Sequence, residues 1–370
     1  MKKIILLTLT ILAAQYAFAN GGKKDFTKKI HESYAVGSMP HLEVENSFGF
    51  VKLVKGGSGN IVVDVLIKVA AKNQERADKL FESIDVQLTE TTAGVRAETM
   101  TGGKESWLDS WSFSWGSNDD NFSVDYTITI PENTSIDIEN QHGDVIIQTD
   151  VTNADIDLQF GDLIAESFTD VLELNIAHGS VEVQNLTDAT VEVNFGDFNC
   201  IQVHNLTIES QHSDVVVKTA NDITADAGFG DYTIGNVRSM VNEGSHSDIE
   251  INTVSTLVAE SSFTYYTIAN INESFKIENE HGDTKIKELG DSFQTGFVES
   301  SFGDVDITTD NNLELDITGT FMSAKLPENF EIKTKIIEDH DTDIKGTYRG
   351  GSGKMGKLTV NLEHGSLRIK

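Results

Sequence analysis

One short phrase returns along residues 139–304 at a nearly fixed step, and that step limits what the chain can fold into. It reads Gln141-His142-Gly143-Asp144, Gln159-Phe160-Gly161-Asp162, Ala177-His178-Gly179-Ser180 and Asn194-Phe195-Gly196-Asp197, and it continues in the same manner. The ring residues fall at 142, 160, 178, 195, 212, 229, 246, 263, 281 and 302, in steps of 17 or 18 with a last step of 21. The phrase appears again near the end as Glu363-His364-Gly365-Ser366. A fixed period of this length marks a solenoid, in which each unit buries its apolar face only against its neighbours.

Parity shows how a unit is built. Before the phrase, apolar residues occupy every second position, as at Ile136 and Ile138, Leu172 and Leu174, or Ala189, Val191 and Val193. The ring continues that register and is expected to point inward. After the phrase the register has slipped by one, as at Val145 and Ile147 or Val181 and Val183. Strand side chains alternate faces, so a one-residue slip needs a bend or bulge. The Gly or Ser after the ring is its expected place, because glycine adopts φ > 0 without steric cost. Each unit then reads as strand, kink, strand and a polar turn such as Thr149-Asp150-Val151-Thr152-Asn153. The expected fold class is all-β, a parallel β-solenoid of 17–18-residue repeats. His and Phe alternate strictly from His142 to His281. A coil of one unit would stack His on Phe; a coil of two would sort them into separate columns. Like-on-like ladders suit stacked strands and favour two units per coil.

The ends read differently. Residues 1–19 carry Lys2-Lys3, an apolar core over 4–14 and an Ala17-Phe18-Ala19 cleavage motif. Together these spell a secretory signal peptide rather than a membrane span. No Cys follows the cleavage motif, which argues against a lipid anchor. Residues 20–40 read as a flexible leader. Residues 41–130 form a β-rich capping section, with strands over 42–45, 51–54, 61–70, 85–89, 94–98 and 122–130. An amphipathic helix over 73–84 carries Ala77, Leu80, Phe81 and Ile84 at i, i+3, i+4 and i+7. A loop over 101–121 holds Trp107, Trp111, Phe113 and Trp115, all the tryptophans of the chain. Residues 131–370 are assigned to the solenoid. The lone Cys200 has inward parity and leaves no intramolecular disulfide to form.

Taken together, Leu42-Glu43-Val44-Glu45-Asn46-Ser47-Phe48-Gly49, the strand–helix section 61–98, Asp125-Tyr126-Thr127-Ile128-Thr129-Ile130-Pro131 and the ring-Gly-Asp units carry a resemblance. They resemble the exported bacterial family of β-strand-repeat proteins known as putative adhesins, over nearly all of the chain after residue 19. The resemblance implies a β-solenoid acting at an envelope or surface. It supplies no catalytic residues.

Charge locates the expected working surface. The chain has 59 acidic and 28 basic residues, a formal net charge of −31. Within 131–330 there are 37 acidic and 6 basic residues, so the excess belongs to the repeats. Such a face disfavours nucleic acid and anionic membranes, and also discourages self-association. The Asp series at 144, 162, 197, 214, 231, 248, 283 and 304 could hold Ca²⁺. The paired glycines of the Ca²⁺-binding nonapeptide solenoid are missing, and turn capping is favoured over a metal. Inward parity likewise favours a packed ladder over a transition-metal site for His142, His178, His212, His246 and His281. No cofactor is expected. Trp107, Trp111, Phe113 and Trp115 are the candidate binding residues, as a glycan-stacking platform or adhesive loop. Packing over the open first coil competes with that role, since terminal repeats must be capped.

Parallel β-helices also host polysaccharide lyases and hydrolases. A lyase needs a basic residue and a positive groove, yet the repeats hold one Arg within 131–330. A glycoside hydrolase needs two carboxylates in distinct environments, and here the carboxylates recur regularly. The function expected from sequence is therefore a non-enzymatic, exported interaction scaffold, adhesin-like, with a protein or glycan partner. The alternative is a periplasmic accessory of envelope homeostasis that binds a protein or divalent ion.

Overall fold

The computed structural model describes residues 23–57, 59–101, 121–320, 322–338 and 341–370. Residues 1–19 and all four aromatic candidates at 107–115 lie outside these. The chain divides into two compact units, Met1–Val183 and Gln184–Lys370. Each is built on a parallel β-solenoid.

In the second unit the repeat is plainest. The strands Asp197–Gln211, Asp214–Gly228, Asp231–Ser245 and Asp248–Ser262 are each 15 residues long. They pair in parallel with register such as Asp197↔Asp214, Leu206↔Ile223 and Met240↔Leu257. One coil is thus one 17-residue repeat, and the expected two-unit coil is corrected: His stacks on Phe. Where the step lengthens to 18, the next strand Tyr265–Asn279 takes up the extra residue between Ile271 and Ser274 as a local register shift.

Burial within one coil runs Phe198, Cys200, then Val203, then Leu206, Ile208 and Ser210. Steps of two follow straight β segments, in which alternate side chains share a face. Steps of three mark corners, where two successive residues turn outward. Columns of apolar residues therefore run along the inside, for example Ile208, Ala225, Ala259 and Ile277, with Asn242 as one polar rung. Full burial of a Val, Leu or Ile contributes about 1.5–3 kcal/mol each, and solenoid stability is a sum over such neighbouring coils. Tyr232 and Tyr266 also lie inside. Tyr232 Oη sits 2.7 Å from Ser210 Oγ, and Tyr266 Oη accepts from Asn242 Nδ2 at 2.9 Å, so neither phenol is orphaned.

The ends break chain order. In the first unit His41–Asn46 lies between Gly94–Thr101 and Ser135–His142, parallel to both. Val51–Lys55 lies likewise between Asn121–Ile130 and Val145–Val151. At the other end of the chain, Ser352–Glu363 is inserted between Thr295–Ser301 and Asn311–Gly319. Ser366–Ile369 is inserted between Val305–Ile307 and Ser323–Lys325. Each terminal stretch is therefore a penultimate coil, closed over by an earlier or later part of the sequence.

Antiparallel strands finish each end. Asn60–Ala71 pairs with Asn121–Ile130, and Phe330–Glu338 pairs with Asp341–Arg349. Residues 24–35 are not the leader that their composition suggests. Lys24–Ala35 is a strand, in antiparallel register with Asn60–Ala71 over its whole length. Its inward, half-buried positions carry Phe26, Lys28, Ile30, Glu32 and Tyr34, so two charged residues hide the alternation. The helix is Gln74–Ser83, with Asn73 Oδ1 accepting from Arg76 N at 2.9 Å as its N-cap. No helix among the described residues is long and apolar enough to cross a membrane.

Candidate functional site

The repeated rings are outside the solenoid, not within it. Phe160, Phe195, Phe229, Phe263 and Phe302 are 47–58 % exposed, and His178, His212, His246 and His364 are exposed as well. The inward parity of the preceding strand ends two residues before the ring, as at Asn140 or Ser210. It resumes on the small residue after the ring, as at Ser213, Ser247 and Thr264. The bend is therefore at the ring itself. The inward position after the ring is occupied by small residues, and at its glycines the approach is closest: a Cβ on Gly230 would run into the Ser213 carbonyl, and one on Gly303 into the Gly282 carbonyl.

Backbone conformation gives the cause. His178, Phe195, His212, Phe229, His246, Phe263, Phe302 and His364 all have φ between 52° and 62°, in the left-handed region. That conformation costs a residue with a Cβ about 1–2 kcal/mol, and for a bulky side chain it is rare. Four copies avoid it, and at Phe160 neither the ring nor Gly161 has a positive φ. At Phe48, His142 and His281 the following glycine carries the positive φ instead, 119° at Gly49, 140° at Gly143 and 138° at Gly282. All three have Asn two residues before the ring. Its Nδ2 donates to that glycine's carbonyl, at 3.2 Å for Asn46, 2.7 Å for Asn140 and 3.1 Å for Asn279. Asn-x-ring-Gly thus selects one kink, and the eight left-handed rings share a second. The expectation that glycine bears the strained φ holds for the first type alone.

The outward rings stack. In the first unit Phe48, His142, Phe160 and His178 follow one another at centroid separations of 5.1, 5.0 and 5.1 Å, tilted by 17° or less. In the second unit Phe195, His212, Phe229, His246 and Phe263 stack at 4.6–5.1 Å with tilts of 15–20°. His281 then stands edge-on between Phe263 and Phe302, at 78° and 79°. Its Nδ1 lies 2.7 Å from the Glu280 carbonyl and donates to it, which accounts for the turned ring. Phe302 stacks on His364 at 5.0 Å. Where the rings stack, their faces are covered by their neighbours, and the column there presents edges to solvent: aromatic C–H and imidazole nitrogen.

Carboxylates flank the column on both sides. Two residues after the ring, the Asp side chain accepts the backbone N–H of the matching residue one coil on. Asp144 takes Asp162 N at 3.0 Å, Asp162 takes Ser180 N at 2.8 Å, Asp214 takes Asp231 N at 3.0 Å and Asp283 takes Asp304 N at 2.9 Å. These aspartates bracket coil to coil. Among the described residues no group of three or more His, Cys, Asp or Glu could hold a metal ion. Burial, then the neighbouring carboxylates Asp214 and Asp248, raises the Asp231 carboxyl above its ordinary value.

The second column lies three residues before the ring, and sequence reading missed it as a site. Glu209, Asp226, Glu243, Glu260, Glu278 and Glu299 are consecutive partners in register. In the first unit the same position is Glu45, Glu139 and Asp157. Arg96 closes that row, reaching Glu43 at 3.3 Å, Glu45 at 2.5 Å and Glu98 at 3.5 Å. Burial first, then Glu45 and Asp157, raise the Glu139 carboxyl, and Arg96 offsets part of that rise. The signal was available, because an acid recurs three before almost every ring.

Between the carboxylate row and the rings runs a strip floored by the residue just before each ring. In the first unit it is a groove of about 440 Å³, walled by Glu139 and Asp157 on one side and Phe160 and His178 on the other. In the second unit a depression of about 820 Å³ lies where Glu299, Ser301 and Glu363 meet Glu338, Asp341 and Asp343 of the terminal hairpin.

Three solved structures, all of bacterial proteins, are similar to this chain. A putative cell adhesion protein from Clostridium sporogenes is 10 % identical, with 93 % of this chain and 99 % of that one covered and a TM-score of 0.18. A putative adhesin from Parabacteroides distasonis is 12 % identical over 75 % and 96 % of the two chains, with a TM-score of 0.28. A putative adhesin from Bacteroides fragilis is 10 % identical over 93 % and 97 %, with a TM-score of 0.22. No family model and no curated protein matches the sequence.

Proposed function

We propose that the protein is a non-enzymatic, exported interaction scaffold, adhesin-like, whose working surface is the ring column and its carboxylate borders. The observation that carries this reading is the strained, outward placement of the rings. Eight of them sit in left-handed backbone while exposed to solvent. Strain of this kind, of order 1–3 kcal/mol per residue, persists where the fold over-determines it and clusters at ligand clamps. An apolar row held out to solvent is itself the mark of an interaction site. Regularity supports a scaffold over an enzyme, because rings and acids recur coil after coil with no set of groups singled out. Export rests on the 1–19 leader.

Asparagine tolerates the left-handed region, so His212→Asn/Phe229→Asn/His246→Asn/Phe263→Asn should keep the fold while removing four rings. Beads coated with the full chain should adhere to cell monolayers, and beads coated with this variant should adhere far less. Equal retention would place the working surface elsewhere. Added protease on intact producing cells checks the location, since a surface protein is cleaved and a periplasmic one shielded.

A further inference from the structure

Cations are the chemistry that the strip selects. Glu209, Asp226, Glu243, Glu260, Glu278 and Glu299 form one unbroken row in the second unit. The chain's own Lys276 shows that a carboxylate of this row takes a cation, with its Nζ 2.9 Å from Glu278. The opposite wall is not a set of open ring faces of the kind a sugar stacks on. It is a row of edges, with the centroids of His212, Phe229 and His246 separated by 4.9 and 4.6 Å.

The period narrows the ligand further. Coils repeat at about 4.8 Å, but His alternates with Phe, so the chemical repeat is two coils, about 9.6 Å. An extended β strand presents same-side residues about every 6.7 Å, and an α-helix turns every 5.4 Å. A polyproline II helix turns every three residues with a rise of about 3.1 Å each, or about 9.3 Å. Over six coils its mismatch with the strip is about 1 Å, which a flexible lysine stem absorbs. A polyproline II chain also has solvated, unpaired carbonyls that an imidazole N–H can meet once per turn, and prolyl rings to lie against phenylalanine edges. The floor there is Gly228, Ser245 and Ser262, small enough for close approach.

We propose that the strip between the ring column and the carboxylate row binds a basic polypeptide segment in polyproline II conformation, lying along the solenoid axis with a Lys or Arg on every third residue facing the carboxylates. This deepens the reading above and rests on it for the choice of surface.

Two fluorescent peptides with five lysines each separate period from charge, one of Lys-Pro-Pro repeats and one of Lys-Pro-Pro-Pro repeats. With the full chain in about 0.15 M NaCl, where exposed charges more than about 8 Å apart are largely screened, anisotropy titration should show about tenfold tighter binding of the three-residue repeat. Glu243→Gln/Glu260→Gln should weaken it by about tenfold, whereas Glu250→Gln/Asp188→Asn, which removes as much charge away from the strip, should change it less than about twofold. His246→Asn/Phe263→Asn should abolish the preference for three-residue spacing. Equal affinity for the two peptides, or equal loss in the two acid-to-amide pairs, would reduce the effect to bulk charge and overturn the proposal. If the ring variants lose bead adhesion while neither peptide binds the native chain, the ligand class is wrong and the working surface stands. If adhesion is also unchanged, both fall.

Discussion

At eight of the rings a left-handed backbone angle accompanies the outward facing. Phe229, at φ 55°, is held left-handed and stacks on His212 and His246. Replacement by Asn removes the stacking, worth about 0.5–1.5 kcal/mol per aromatic pair, but relieves about 1–2 kcal/mol of strain. The net change in unfolding free energy should stay within about 1 kcal/mol. Phe229→Val loses the same stacking and puts a β-branched residue where the left-handed region is worst, so it should cost about 2 kcal/mol or more. Urea unfolding of the pair checks this, and equal losses would mean that φ is not the determinant. Cys200 gives a second test at this scale. Burial pushes its thiol up to about 12, so it should resist alkylation at neutral pH until the chain unfolds. Mass spectrometry after iodoacetamide treatment would show rapid native labelling if that burial were wrong. The inward parity of Cys200 was legible in the sequence, whereas the facing of the rings was misread. Counting forward from Ile136 and Ile138 sends His142 inward; counting back from Ile147 and Val145 sends Gly143 inward and His142 out. The second count matches the structure, in which small residues such as Ser213, Ser247 and Thr264 are buried at the position after the ring and the rings stand outside.

At the scale of elements, the period gave the repeats and most strands, while the order of coils was hidden. Nothing local in Ser352–Glu363 says that it enters between two strands that precede it in the chain, because parallel pairing is fixed by partners far away in sequence. Leu358 illustrates the consequence. It is fully buried and pairs with Gly296 on one side and Leu315 on the other. Leu358→Ala should cost about 2–5 kcal/mol by opening a cavity between coils, and hydrogen exchange should speed up in both Thr295–Ser301 and Asn311–Gly319. Ile337→Ala on the terminal hairpin should stay within about 0.5 kcal/mol, since Ile337 is 63 % exposed. Similar losses at the two sites would argue against the inserted coil. That hairpin strand, Phe330–Glu338, also guards itself against unwanted pairing. It carries Lys333 and Lys335 and a register shift between Ile332 and Thr334, two devices that blunt an edge. Lys24–Ala35 escaped the sequence reading for a related reason: an end strand tolerates charge at half-buried positions, so alternation fades where pairing still forms.

For the molecule as a whole, the excess of acid was plain from composition, and stacking turns it into a pH dependence of unusual sign. Asp137, Glu139 and Asp231 are all raised above ordinary carboxyl values, each by burial first and then by carboxylates on neighbouring coils. A carboxyl raised on folding binds its proton more tightly in the native state. Its contribution to stability is therefore complete below the ordinary Asp and Glu values and is lost as pH rises through the raised ones. Two unit charges about 4.8 Å apart in water repel by roughly 0.9 kcal/mol, and the carboxylate rows repeat that contact. The melting temperature should accordingly rise as pH falls from about 7 toward 4.5, where ion-paired proteins begin to lose stability. At the alkaline end the sign is the same with different groups. Burial raises Tyr126 and Tyr232 to about 12, and raises Tyr266 as well. Their contribution is intact below the ordinary tyrosine value and vanishes as pH climbs toward about 12, so melting should collapse above pH 10. Salt separates the causes. Repulsion between exposed rows is screened over about 10 Å at 0.1 M, so NaCl should raise the melting temperature at pH 7 and do little near pH 4.5. Melting curves across pH at low and at about 0.2 M NaCl measure both effects. A melting temperature that falls steadily from pH 7 to 5, whatever the salt, would mean that the carboxylates are paired rather than stacked in mutual repulsion.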